Sequence, residues 1–215
     1  MRYAAVPGLG LGPESWRVAL AALGADPGTV QLLPGYGVPT EHRAAPTPAE
    51  LARILCSRIA EPTTLFGHSS SCQVVAHAAR LCPDRVRRVV LVGPTTDPRA
   101  ASWPGLARLW LCTAVREDPR QVPRLVRQYR RTTLRSMLAT MDVARHDDIL
   151  DTVSQVSVPV VLVRGVHDRI ARPDWLRALA DAAPNGTVSE VSAGAHMVQS
   201  THPGAFAATV GPLLA

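Results

Sequence analysis

Short apolar runs alternate with longer segments of helical period along the chain. YAAV (3–6), TVQLL (29–33), TTLF (63–66), VRRVVLVG (86–93), VPVVLVRG (158–165) and TVSEVS (187–192) read as six strands. Between them lie helical patterns: PESWRVALAAL, TPAELARILCSRIA, the segment after three consecutive serines, and RPDWLRALADAA. PGAFAATVGPLLA closes the chain as a further helix, and PGYGVPTEHRAAP (34–46) reads as a loop. The helix beginning at Thr47 carries its own start signal: Thr47 as N-cap, Pro48 in the first position and Glu50 three residues on. Near-continuous β-branched runs separated by helices predict a mostly parallel sheet of about six strands with helices on both faces.

Residues 98–156 break this rhythm, because they contain no strand pattern. Within them Val122, Leu125, Val126, Tyr129, Thr133, Met137 and Met141 recur at three- and four-residue steps, which predicts a helix. The chain is therefore expected to be one domain over 1–215, with 98–156 inserted between two strands as a small helical cap. A length of 215 residues suits one full core.

Three serines in FGHSSSCQVV stand between a strand and a helix, the setting of a nucleophile elbow. Such a turn needs small residues two before and two after the nucleophile. For Ser70 one of these positions is His68, and for Ser71 one is Gln73; both are too bulky. For Ser69 they are Gly67 and Ser71, so Ser69 is the nucleophile that fits. A serine needs a histidine base oriented by a carboxylate. His196 follows the sixth strand and Asp168 the fifth, and in a parallel sheet such loops emerge at one edge. Ser69, Asp168 and His196 are thereby expected to converge. Asp97, after the preceding strand, is the rival acid, and the GxxD setting before Pro173 favours Asp168.

The blocks GHSSS, GVHDRIARP and GAHMVQSTHP, in that order, resemble the three catalytic blocks of the α/β-hydrolase superfamily. PGLGLGPESW is similar to its oxyanion block and LPGYG to the loop after its next strand. The resemblance covers the chain apart from the cap and implies the α/β-hydrolase fold. It also implies that the backbone N–H groups of Leu9 and Ser70 form the oxyanion hole. Pro7 stands where the family usually has histidine, and Ser71 where it usually has glycine. The chain starts at what is the family's third strand, so the two leading antiparallel strands are expected to be missing.

The implied activity is hydrolysis of an ester, lactone or thioester through an acyl-enzyme, with no metal or organic cofactor and a small-molecule substrate. C–C bond hydrolases, lyases and acyltransferases share the same triad, and a ligand-binding or regulatory protein can retain it. Trp103 and Trp110 either line an apolar substrate pocket or anchor the cap.

Charge and cysteine content refine the picture. The net charge of +6 rests on 23 arginines without a single lysine, a usage that fits a GC-rich bacterial genome. Stacking runs and finger spacings are absent, so nucleic acid is not an expected partner. Arg116, Arg120, Arg124, Arg127 and Arg131 fall at helical spacings in the cap. They suit either a solvated face or an acidic partner such as an acyl carrier protein. His146, Asp147 and Asp148 read as a solvated helix end, His77 as a packing residue and His202 as the start of the last helix. No apolar run is long enough to span a membrane, and the N-terminus lacks a signal-peptide core, so a cytoplasmic address is expected. Cys72 and Cys82 are about 15 Å apart on one predicted helix, too far to bond. All four cysteines, with Cys56 and Cys112, are expected to be reduced and mostly buried.

Overall fold

The computed structural model describes residues 2–26, 29–40 and 45–214. Among them, in chain order, β1 (Tyr3–Val6) leads through a short 3-10 turn into α1 (Arg17–Ala22). Two short paired segments follow, β2 (Leu33–Pro34) and β3 (Gly37–Val38). Next come α2 (Pro48–Arg58), β4 (Thr63–His68), α3 (Ser71–Leu81) and β5 (Val86–Val92). Four helices are inserted after β5: α4 (Trp103–Ala114), α5 (Val122–Thr132), α6 (Leu134–Ala144) and α7 (Ile149–Ser154). The chain finishes with β6 (Val160–Gly165), α8 (Pro173–Ala182), β7 (Gly186–Val191), α9 (Val198–Thr201) and α10 (Pro203–Val210).

The sheet has the order β1-β4-β5-β6-β7, parallel throughout. Every residue of β4 and β6 is buried, which is why these strands read as unbroken apolar runs. One face carries α2, α3 and α8 over a core that includes Leu55, Val75, Leu91 and Leu176. The other carries α1 and α10, with Trp16, Phe66 and Phe206 at its centre. The capping box at Thr47 forms as its sequence predicts: Thr47 Oγ1 accepts from the Glu50 N–H, and Glu50 accepts from the Thr47 N–H at 2.7 Å.

Four expectations change. The sheet has five strands, not six, because Thr29–Leu33 touches β1 only through the bridge between Val30 and Ala5. Pro34 and the left-handed Gly35 (φ 81°) turn the chain away before a ladder can extend. The long helix from Val122 to Met141 is two helices, broken at Thr133, whose φ of 68° is left-handed. Its side chain accepts the Ser136 N–H and caps α6.

The basic residues consequently do not share one helix. Arg124, Arg127 and Arg131 lie on α5, while Arg116 and Arg120 precede it, and Arg131 is paired with Glu14. Finally, Cys56 and Cys82 form a disulfide, with Cα atoms 6.3 Å apart. The packing of α2 against α3 places one beside the other, which spacing along the chain does not reveal. Cys72 is a buried thiol, and Cys112 is exposed rather than buried. Disulfides belong mainly to oxidising compartments, so the thiols lend no support to a cytoplasmic address. Among the described residues no helix is long and apolar enough to cross a membrane. The predicted loop 34–46 includes residues 41–44, which lie outside the described ones.

Candidate active site

Ser69 sits between β4 and α3 with φ 60°, a left-handed conformation that is strained for a serine. Its N–H donates to the Val92 carbonyl at 2.8 Å, and its carbonyl accepts from the Cys72 N–H at 3.1 Å, so both sides of the turn are held. The steric demand inferred from sequence is visible at Gly67: a Cβ there would stand 2.9 Å from Cys72 Cα and 3.0 Å from the Ser71 carbonyl oxygen. Ser71 is small, and it is also more than small. Its hydroxyl accepts the His68 N–H at 2.8 Å, and its one proton goes to the carbonyl of Val6 (3.0 Å) or His68 (2.9 Å). The third serine thus ties the elbow to the end of β1, just before Gly8 and Leu9.

Asp168 lies in the turn after β6 and is 1% exposed. Its Oδ2 accepts from His196 Nδ1 at 2.8 Å, and its Oδ1 from the N–H groups of Ile170 (2.8 Å) and Ala171 (3.1 Å). Burial by itself raises this carboxyl, but the His196 charge and these hydrogen bonds outweigh it and hold it below the usual carboxylate range. Burial likewise disfavours the His196 cation, yet the charge and hydrogen bond of Asp168, with Glu117 adding to them, raise its pKa. With Nδ1 donating to the carboxylate, Nε2 is left as the basic nitrogen. The other acid considered, Asp97, is instead paired with Arg99 and Arg172.

Several supporting residues were not foreseen. Gly93, at φ 59°, leaves room for the pair: a Cβ would stand 2.9 Å from His196 Nδ1 and 3.2 Å from Asp168 Oδ2. Arg164 is buried beneath the acid turn. It donates to the carbonyls of Asp168 (2.7 Å) and Ala171 (2.8 Å) and is ion-paired with Glu190. A lone arginine inside the apolar run VVLVRG is a signal that could have found it. His68 is buried beside His196, with ring centroids 4.9 Å apart, and its Nε2 donates to the His196 carbonyl at 3.0 Å. Burial, together with the His196 charge, pushes its pKa down to about 3, so it stays neutral.

Ser69 and His196 open into a cleft of about 600 Å³, with Gly8 and Leu9 beside them and the inserted helices opposite. Ser70 is fully buried at the N-cap position of α3, where its side chain makes no capping bond. Trp103 and Trp110 both line the cleft, and both are partly exposed. So do Leu125, Tyr129, Met137 and Met141: the apolar stripe faces one space even though two helices carry it.

The remaining histidines are placed elsewhere. His77 on α3 is bonded to Asp147 at 2.8 Å, so Asp147 belongs to a buried contact and not to a solvated helix end. Asp148 caps α7, and His202 precedes α10 as its N-cap. No group of metal-ligating side chains occurs among the described residues.

Comparison with known proteins adds three kinds of match. A family model described as "Alpha/beta hydrolase family" matches residues 5–209. A pimeloyl-[acyl-carrier protein] methyl ester esterase of Yersinia enterocolitica is 26% identical over 205 residues, covering 83% of this chain and 79% of that protein. Among solved structures, a hydrolase from Oleispira antarctica superposes with a TM-score of 0.77 at 16% identity, covering 100% of this chain and 89% of the other. E-2-(acetamidomethylene)succinate hydrolase gives 0.78 at 18% identity, with 99% and 91% covered. An enol-lactonase from Burkholderia xenovorans LB400 gives 0.68 at 21%, with 99% and 90% covered. At these identities the structures attest the fold alone.

Proposed function

Because the chain belongs to the alpha/beta hydrolase family, we propose that it is a serine hydrolase cleaving an ester, lactone or thioester. In this reading His196 Nε2 takes the Ser69 proton as Oγ attacks the carbonyl carbon. The oxyanion that forms is held by the N–H groups of Leu9 and Ser70; losing one such donor typically costs about 10²-fold or more in rate. His196 then hands its proton to the leaving alcohol or thiol, leaving an acyl-enzyme. Water, deprotonated by the same imidazole, attacks the acyl carbon, and Ser69 recovers its proton as the acid departs. Asp168 holds the imidazole in the required tautomer throughout. Residues 98–156 act as a cap that supplies the apolar wall for the acyl group.

The single observation behind this reading is the 2.8 Å bond from His196 Nδ1 to Asp168, with the strained Ser69 in the same cleft as that histidine. A fluorophosphonate probe tests it. Wild-type protein is expected to be labelled at Ser69 and to turn over at least one of a panel of nitrophenyl esters, lactones and acyl thioesters. Ser69→Ala is expected to be folded, unlabelled and slower by on the order of 10⁴-fold or more. Folded wild-type protein that neither labels nor turns over any of the panel would refute the reading and favour a binding or regulatory role.

A carrier-bound acyl chain is the substrate form favoured by the exposed Arg116, Arg120, Arg124 and Arg127 around the cap. Reversing their charge is expected to slow turnover of an acyl carrier protein ester while sparing the free methyl ester. Equal effects on both would argue against a carrier.

A further inference from the structure

The end of α4 touches the triad loops at two corresponding points. Thr113 is 2% exposed, and its Oγ1 accepts the N–H of Arg169, the residue after Asp168, at 3.2 Å. Four residues on, Glu117 Oε1 accepts the N–H of Met197, the residue after His196, at 2.8 Å. Residues at this spacing share one face of a helical turn, and the turn continues past Ala114 through bonds from Arg116 N–H to the Thr113 carbonyl and from Glu117 N–H to the Ala114 carbonyl. The second oxygen of Glu117 accepts from Gln121 Nε2 at 3.0 Å, so the carboxylate is fixed at both ends. Gln121 itself is 4% exposed.

We infer that Thr113 and Glu117 are positioning residues, through which the helix forming the substrate wall sets the alignment and charge of the Asp168–His196 pair. This rests on the triad reading above. Trp103, Leu106 and Trp110 of the same helix line the cleft. An acyl group seated there presses on α4, and the far end of α4 holds the acid and base loops by their backbones. Substrate binding and triad geometry are thus linked through one rigid element.

Glu117 has a second effect. The groups facing His196 are Asp168 from the turn after β6, Glu117 from the turn after α4, and His68 from the end of β4, which is neutral. Asp118 lines the same cleft and is engaged in capping the turn at Arg120. Among the described residues of the inserted helices, Glu117 is the charge that acts on His196, and it favours the imidazolium that forms during proton transfer.

The test separates charge from contact. Glu117→Gln keeps an acceptor for Met197 but removes the charge. The His196 imidazole, followed by NMR, is expected to titrate at lower pH than in the wild type, with the acid limb of kcat/KM moving with it. Glu117→Ala removes both and is expected to lower kcat about tenfold with little change in KM. Thr113→Val is expected to lower kcat several-fold, roughly in proportion to one lost buried hydrogen bond, and Thr113→Ser to restore it. The inference is overturned if His196 titrates in Glu117→Gln as in the wild type, or if Thr113→Val turns over at the wild-type rate. If wild-type Ser69 stays unlabelled and nothing is hydrolysed, the hydrolase reading fails, and the NMR titration, which needs no substrate, decides this inference by itself.

Discussion

Replacing Ser71 by alanine tests whether the third serine is kept for its hydroxyl as well as its size. The side chain is fully buried, and two backbone groups depend on it. The Val6 carbonyl survives the loss, because it also accepts from Trp16 Nε1 at 3.0 Å. The His68 N–H does not, since its 2.8 Å bond is to Ser71 Oγ. One buried donor left without a partner costs about 1–3 kcal/mol, which for a domain of this size corresponds to a fall in Tm of roughly 2–12 °C. A second effect follows from position. Ser71 joins the elbow to Val6, three residues before Leu9, so its loss also loosens the spacing between the two backbone donors assigned to the oxyanion. Turnover of a nitrophenyl ester is therefore expected to fall by on the order of tenfold. Ser71→Gly, which installs the residue usual in the family, is expected to be less stable still, by roughly 0.5–1 kcal/mol of backbone entropy. Thermal unfolding and steady-state kinetics read both effects. An alanine variant that melts and turns over like the wild type would show that only the size of Ser71 matters.

Two further predictions concern pH and redox state. In the proposed reaction His196 is the base and acts only when neutral; its pKa is raised above 6.5, so kcat/KM is expected to rise with pH through a single acid limb lying above 6.5. Asp168 is held low and His68 is pushed to about 3, so neither adds a limb near neutrality; a limb below 6 would contradict the assignment. Reduction of the Cys56–Cys82 bond frees a loop of sequence separation 26, worth about 3.5 kcal/mol in the chain-entropy model. A drop in Tm of roughly 7–14 °C is expected. Thiol titration of the denatured, unreduced protein is expected to find only Cys72 and Cys112; finding all four reactive would remove the bond.

What the sequence revealed and what it concealed divide along the range of the forces involved. The elbow is a local steric problem: Gly67 and Ser71 flank Ser69 within five residues, so testing each serine against its neighbours singles out Ser69, the residue with φ 60° in the turn. The Asp168–His196 pair is long-range but constrained by topology, since both residues follow strands that end at the same sheet edge. Nothing comparable fixes the inserted helices. Their stripe of Leu125, Tyr129, Met137 and Met141 correctly marks an apolar face, yet the break at Thr133 depends on a threonine adopting φ 68° and capping the next helix. Helical periodicity does not register such a break.

The contacts of Thr113 and Glu117 are hidden for a related reason. Each accepts from a backbone N–H, and every non-proline residue has one, so no complementary side chain marks the partner in the sequence. Cys56 and Cys82 are similar: their pairing is set by how α2 packs on α3, which distance along either helix does not report. Arg164 is the opposite case. A charge at the end of a strand buried on both faces must find partners, and Arg164 finds them in the Glu190 carboxylate and in the carbonyls of the turn that carries Asp168. An arginine out of place in an apolar strand thus marks a turn that needs holding, here the one that carries Asp168.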